Sequence, residues 1–196
     1  MMKRRILLAA LAAAFGFFAM DGFVTNSGMA QAQNRAQERD LENTLYIDLE
    51  AGRVTIELRP DIAPNHVARI KELAREGFYD GVVFHRVIDG FMAQTGDPTG
   101  TGRGGSELPD LEAEFSDAKH SRGAVSMARA QSPNSANSQF FIVFDDSSFL
   151  DGQYTVWGQV TDGMELVDAI KRGEGSSGAV QDPDKMIKVQ VAADAQ

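Results

Sequence analysis

Among the side chains in this sequence that could do chemistry, Arg86 has the least ordinary surroundings. It comes two residues after the apolar run Val82-Val83-Phe84, the chain turns at Asp89-Gly90, and Phe91, Met92 and Gln94 follow directly. A guanidinium is a rigid fork of donors that stays charged across the pH range proteins meet. Beside aromatic and thioether surface it can donate hydrogen bonds permanently but cannot shuttle a proton. Other chemistries lack their residues. There is no cysteine, which excludes thiol nucleophiles, zinc-thiolate sites and disulfides. The three histidines, His66, His85 and His120, show no His-x-x-x-His or His-Glu spacing, so no metal-ligand cluster is expected. Ser126 lacks the Gly-x-Ser-x-Gly elbow, and no ordered triad accompanies it.

Each of these residues also has a plainer reading. An arginine in a strand is usually a surface charge whose stem covers apolar neighbours. Phe91, Met92, Phe141 and Leu150, taken singly, read as core. His85, opposite Arg86 in the strand alternation, reads as a hydrogen-bonded structural histidine. Gly100-Thr101-Gly102-Arg103-Gly104-Gly105 fits the spacing of a dinucleotide loop, but Pro109 and the absence of a following helical period defeat the match. It reads as a glycine-rich turn.

The elements that must position these groups are mostly strands. Leu45, Ile47 and Leu49 alternate with polar residues, and Val54, Ile56 and Leu58 repeat the pattern after Ala51-Gly52, which predicts a hairpin with one buried face. Pro64 opens a predicted helix over 64–76, with Val67, Ile70, Leu73 and Ala74 inward and Gly77 as its stop. A strand over 82–88 places Arg86 on one side with Phe84 and Ile88. Residues 95–109 form an unusually long loop. Strands are expected over 123–128, 139–144 and 154–160, then a short helix over 164–171, a flexible connection over 173–178, and a last strand with Ile187, Val189 and Val191 inward. In the 139–144 strand, Phe140 and Ile142 facing the core would turn Gln139 and Phe141 outward. Strands without a βαβ rhythm favour a mainly β, antiparallel barrel or sandwich with helices at its ends.

The chain has 196 residues, 43% of them apolar, enough for one domain with a full core. A net charge of −9, with no basic cluster past residue 5, argues against a nucleic-acid partner. Lys3-Arg4-Arg5 and the uncharged run 6–20 have the form of a secretory signal, and Ala30-Gln31-Ala32 offers a cleavage site after Ala32. The expected organisation is a signal peptide over 1–32, a flexible leader over 33–43, one domain over 44–192 and a tail over 193–196. The folded part is then periplasmic or secreted. An uncleaved membrane anchor through 6–24 is the alternative, disfavoured because a spanning helix wants about 20 apolar residues and Asp21 interrupts this run.

Phe84-His85-Arg86-Val87-Ile88, Gly90-Phe91-Met92, Gln94, Gly96-Asp97, Ser126-Met127-Ala128, Ser138-Gln139-Phe140-Phe141-Ile142 and Leu150-Asp151-Gly152 together resemble the cyclophilin family of peptidyl-prolyl cis-trans isomerases, in a form similar to its bacterial exported branch. The resemblance runs from about Thr44 to Val191. It implies a closed eight-stranded antiparallel β-barrel capped by two α-helices, with the active groove on the outer surface. It also implies Arg86 as the catalytic group with Gln94 beside it, and Phe91, Met92, Phe141 and Leu150 as the proline pocket. Gln94, Ala128, Arg129 and Gln139 would run along the substrate backbone, with Phe149 and Tyr154 at further groove positions. Phe149 stands where many eukaryotic members have tryptophan, Tyr154 where they have histidine and Arg129 where they have asparagine. Loss of the indole donor implies weak cyclosporin binding.

The implied reaction explains why so little chemistry is needed. Rotation about an X–Pro bond breaks no σ bond; it must only overcome amide resonance, a barrier of about 18–20 kcal/mol that makes the spontaneous event take tens to hundreds of seconds. No metal or cofactor is required. In the twisted transition state the prolyl nitrogen holds a localised lone pair, so a donor aimed at it binds that state better than either ground state. The expected partners are proline-containing unfolded or flexible polypeptides, with the protein acting as a monomer. A rival reading keeps the fold but makes it a binding module for proline-containing segments; Arg86 with Gln94 and Gln139 argues against it, since a binder has no need of a donor at the prolyl nitrogen.

Overall fold

The structure is a computed structural model that describes residue 33 and residues 40–195; the expected signal peptide lies outside the described residues. Eight antiparallel strands make one curled sheet. They are β1 (Thr44–Leu49), β2 (Gly52–Leu58), β3 (Arg86–Ile88), β4 (Met92–Thr95), β5 (Ala124–Met127), β6 (Phe140–Val143), β7 (Val156–Asp162) and β8 (Lys188–Val191). Their order across the sheet is β3-β4-β6-β5-β7-β2-β1-β8. Helix α1 (Pro64–Arg75) packs against β8 and β7, and the short helix α2 (Met164–Asp168) lies against β2.

Alternation sorts the side chains as the sequence predicts in most strands. Leu45, Ile47, Val54, Ile56 and Leu58 of the first hairpin are buried, as are Val67, Ile70, Leu73 and Ala74 of α1. They meet Trp157, Tyr79, Phe84 and Phe140 in one core. Phe140 takes Tyr79 and Trp157 edge-on, with ring centroids 5.6 and 5.4 Å away, a favoured quadrupolar arrangement.

Pro64 supplies a preset φ at the start of α1, but Ala63 cannot cap it. The cap comes from across the fold. Glu114 accepts from the backbone N–H groups of Asn65 (3.1 Å) and His66 (3.0 Å), and His66 Nδ1 lies 2.6 Å from the same carboxylate. Burial pushes His66 toward its neutral form, and Glu114 opposes it. We expect Glu114→Ala to destabilise the fold by about 1–2 kcal/mol, the cost of a lost helix cap, measured as a lower urea midpoint with an unchanged slope.

The expected closed barrel is corrected to an open half-barrel, because no ladder joins β3 to β8. A single bridge, Val83 to Lys185, and bonds between residues 81–84 and 184–186 stitch the seam. The outer edge of β3 is taken by residues 173–180: Val87 N–H donates to Gly178 O, and Gly173 N–H to Val87 O. Gly178 has φ +69°, and a Cβ there would run into Ile88. That close approach is why glycine, and no ordinary strand, covers this edge.

Three further expectations change. The strand expected over 82–88 is regular only from Arg86, and the break at Phe84-His85 resets its parity. Phe84 and Val87 face the core, whereas Arg86 and Ile88 face outward. On the last strand Met186 is fully buried and Ile187 is 50% exposed, so the inward set is Met186, Val189 and Val191. The second helix ends at Asp168, earlier than 164–171.

Candidate active site

Register builds the site. Arg86 of β3 pairs directly with Gln94 of β4, Gln94 with Phe141 of β6, and Phe141 with Ser126 of β5. Directly paired residues share a face, so these four form a row across the outer side of the sheet. Met92, Phe141, Val143, Ala124 and Leu150 make a second apolar cluster on that face, flanked by Ile88, Phe91, Ala128 and Tyr154.

The polar half of the row is a continuous chain. Arg86 Nη1 donates to Gln94 Oε1 (3.1 Å), Gln94 Nε2 to Gln139 Oε1 (2.9 Å), and Gln139 Nε2 to Gly104 O (2.8 Å). Arg86 Nε donates to Ser177 O (3.1 Å). None of the ion pairs among the described residues involves Arg86. Its remaining N–H groups are therefore held in place without a counter-ion to neutralise them.

Beside that fork lies a groove of about 420 Å³. Arg86 and Gln94 form one wall, Met92, Phe141 and Leu150 the apolar floor, and Phe91 and Phe149 the rim, their rings tilted by 43° with centres 5.4 Å apart. Tyr154, Ala128 and Arg129 close the opposite side. Phe149 is 63% exposed, whereas Phe141 is only 5% exposed although it faces outward; packing within the second cluster hides it. The Arg129 guanidinium lies 4.6 Å from the Tyr154 ring centre and donates to Gln153 O (3.0 and 3.2 Å), Ala130 O (3.0 Å) and Gln131 O (3.2 Å). It is thus bound up in fixing its own loop. A second, more polar cavity of about 540 Å³ adjoins the groove through Gln94, Ala128 and Arg129 and contains Gln139.

The long loop is organised by Asp97. Its carboxylate accepts from the backbone N–H groups of Thr99 (2.8 Å), Thr101 (3.0 Å), Gly102 (2.6 Å) and Arg103 (3.0 Å) and from the Thr99 hydroxyl (2.8 Å). Burial alone would raise the Asp97 pKa; the hydrogen bonds from Thr99, Gly104 and Gly102 outweigh it and hold the group well below the usual carboxylate range. The glycine-rich segment therefore is an anion nest, but its anion is part of the chain. This carries Gly104 to Gln139 and so completes the polar row.

All the residues singled out from sequence line these two adjoining cavities, Gln139 only the second of them. His85 differs from its expectation: it is buried, and neither ring nitrogen has a hydrogen-bond partner. Burial, its largest influence, lowers its pKa and favours the neutral ring. Sequence reasoning gave no role to Asp97, Gln153 or the Ser177 carbonyl. An acid at the head of an amide-rich glycine loop was the available signal for Asp97. A backbone carbonyl 91 residues from Arg86 leaves no trace in sequence.

Residues 44–191 match the family model described as cyclophilin type peptidyl-prolyl cis-trans isomerase/CLD. A probable peptidyl-prolyl cis-trans isomerase of Brucella suis is 57% identical over 175 residues, covering 83% of this chain and 89% of that protein. Among solved structures, a cyclophilin from Hirschia baltica superposes with a TM-score of 0.72 at 29% identity, covering 88% of this chain and 82% of its own. A cyclophilin-type isomerase of Cryptosporidium parvum, determined in the presence of the dipeptide Ala-Pro, gives 0.71 at 30% identity, over 76% of this chain and 98% of its own.

Proposed function

The chain belongs to the cyclophilin-type peptidyl-prolyl cis-trans isomerase family, and from that premise we propose that it turns X–Pro bonds in exported client polypeptides and so assists their folding. The isomerase activity follows from the family; the residues that carry it and the clients it serves are our reading. The observation that supports the assignment is a guanidinium without a counter-ion among the described residues, held by Gln94 and the Ser177 carbonyl at the edge of an apolar notch.

In this reading Met92, Phe141 and Leu150 receive the proline ring, with Phe91 and Phe149 at the mouth. Arg86 donates to the prolyl nitrogen as it loses conjugation. Gln94 aims Arg86, and Gln139 with the backbone at Ala128 and Arg129 holds the flanking peptide, confining rotation to one bond. Lowering the barrier by about 7 kcal/mol would give roughly a 10⁵-fold acceleration, and no proton transfer is involved. The Ala-Pro dipeptide named with the Cryptosporidium parvum relative supports proline-containing peptides as the ligand class.

The basic start and apolar run of the N-terminus support export to the periplasm or beyond. With Phe149 in place of an indole donor, weak cyclosporin binding is part of the proposal, as is action as a monomer. Exchange NMR on a short Ala-Pro peptide tests the catalytic reading: saturable line broadening supports it, and binding without exchange would instead favour a holding module. N-terminal sequencing of the exported protein tests cleavage after Ala32.

A further inference from the structure

Behind the floor of the groove lies a cluster that the reaction does not use directly. His120 Nδ1 is 3.0 Å from Asp151 Oδ1, His120 Nε2 is 3.1 Å from Ser126 Oγ, and both His120 and Ser126 are fully buried. The order acid, imidazole, hydroxyl imitates a hydrolytic triad. It cannot act as one, because Ser126 and His120 are both fully buried and no substrate can reach the hydroxyl; in the arrangement seen, Ser126 Oγ lies 2.9 Å from Thr155 O. The His120 ring instead lies nearly parallel to Phe141, centres 6.3 Å apart at 19°, and edge-on to Tyr154 at 6.5 Å.

We infer that His120 is a positioning residue for the isomerisation: clamped between Asp151 and Ser126, its flat ring backs Phe141 and Tyr154 and fixes the rear of the proline pocket. The inference rests on the reading of the groove as the substrate site. Asp151 is itself anchored, accepting from the backbone N–H of His120 (2.9 Å) and lying 3.1 Å from Lys119 Nζ. Two loop segments thus converge on one ring.

Proton bookkeeping gives this clamp a signature that inert packing would lack. With Ser126 donating to Thr155 O, its oxygen must accept from His120 Nε2, while Nδ1 must also donate to the Asp151 carboxylate. Only the doubly protonated ring satisfies both. When the ring is neutral, with its hydrogen on Nδ1, the Ser126 hydroxyl must turn from Thr155 O to Nε2, and Ser126 is the register partner of Phe141. Burial pushes the His120 pKa down and Asp151 pushes back, so the change falls below the ordinary value of 6.5. The charged groups facing the ring are Asp151, Lys119 beyond it, and Arg129 across Tyr154.

The test is saturable exchange NMR on an Ala-Pro peptide from about pH 4 to pH 8, with wild type, His120→Asn and His120→Phe. A pocket wall contacts proline equally in ground and transition states, so losing it should raise KM and spare kcat. We expect KM to rise about tenfold in His120→Asn with kcat within about twofold, and recovery to within about threefold in His120→Phe, which keeps a flat ring. The wild-type KM should inflect below pH 6.5, and both variants should lack the inflection. A wild-type KM for His120→Asn, or a pH profile shared by all three proteins, would overturn the inference while leaving the groove assignment intact. Absence of exchange in the wild type would overturn both. Should His120→Asn not fold, the wild-type inflection and the His120→Phe profile decide alone.

Discussion

Replacing Arg86 with alanine is expected to slow exchange of an Ala-Pro peptide by about 10²- to 10³-fold while leaving its affinity within a few fold, the range for deleting one preorganised transition-state donor. Rate and affinity separate because of when the donor is used. In the planar imide the nitrogen lone pair is delocalised and accepts poorly; only in the twisted state does it accept well. The variant keeps the apolar groove floor of Met92, Phe141 and Leu150, the surface proposed to receive the proline ring, so binding should be largely spared. Arg86→Lys should also lose most of its activity. A lysine cannot donate to Gln94, to the Ser177 carbonyl and to a substrate nitrogen from one planar fork. The check is KM and kcat from line-shape analysis of the three proteins. Wild-type turnover in Arg86→Ala would remove the guanidinium from the mechanism, and a loss confined to KM would make it a binding group.

The second large effect should come from a residue that touches no substrate. Asp97→Ala leaves at least four backbone N–H groups without the acceptor around which they are folded, and hydrogen bonds to an ionised acceptor are each worth about 1.5–3 kcal/mol. Because water can reach some of these groups once the loop loosens, the net loss should be on the order of 3 kcal/mol. Asp97→Asn should fare little better, since its amide would turn a donor toward donors. Both variants should also raise KM, because Gly104 is the far anchor of Gln139.

The pH dependence identifies the cause. The Asp97 carboxyl is more acidic folded than unfolded, so its contribution is fully present above the ordinary value of 3.8 and is lost as pH falls through the lower folded value. In urea titrations the gap between wild type and Asp97→Ala should be constant near neutrality and shrink in acid. A gap that stays constant at low pH would mean that the charge is not what holds the loop.

Much of the site was legible from residue types. The alternation in the first hairpin and in Phe140-Phe141-Ile142 marked which side chains face the core, because a period of two on a half-buried sheet permits only one assignment. The outward Phe141 marked the face of the sheet on which the groove lies. Where the strand broke, the same logic failed. The irregular backbone at Phe84-His85 shifted the parity, so Phe84 joined the core while Arg86 kept the groove. Ile187 was misassigned for the same reason, since Met186 takes the inward place one residue earlier. The sheet was expected to close, but a glycine approach at Gly178 fills the edge of β3 that closure would have used.

What residue order alone determined was the inventory: a permanent donor beside an apolar run, the aromatic and thioether groups around it, two glutamines, and the absence of any thiol, all properties local to each side chain. What only the tertiary structure decided was their convergence. Registers linking β3, β4, β6 and β5 put Arg86, Gln94, Phe141 and Ser126 in one row. The Asp97 loop delivers Gly104 to Gln139, and the Ser177 carbonyl reaches Arg86 from the far end of the chain. Such contacts depend on how strands pair and loops fold back, and residues distant in sequence carry no local mark of the partner that packing will bring them.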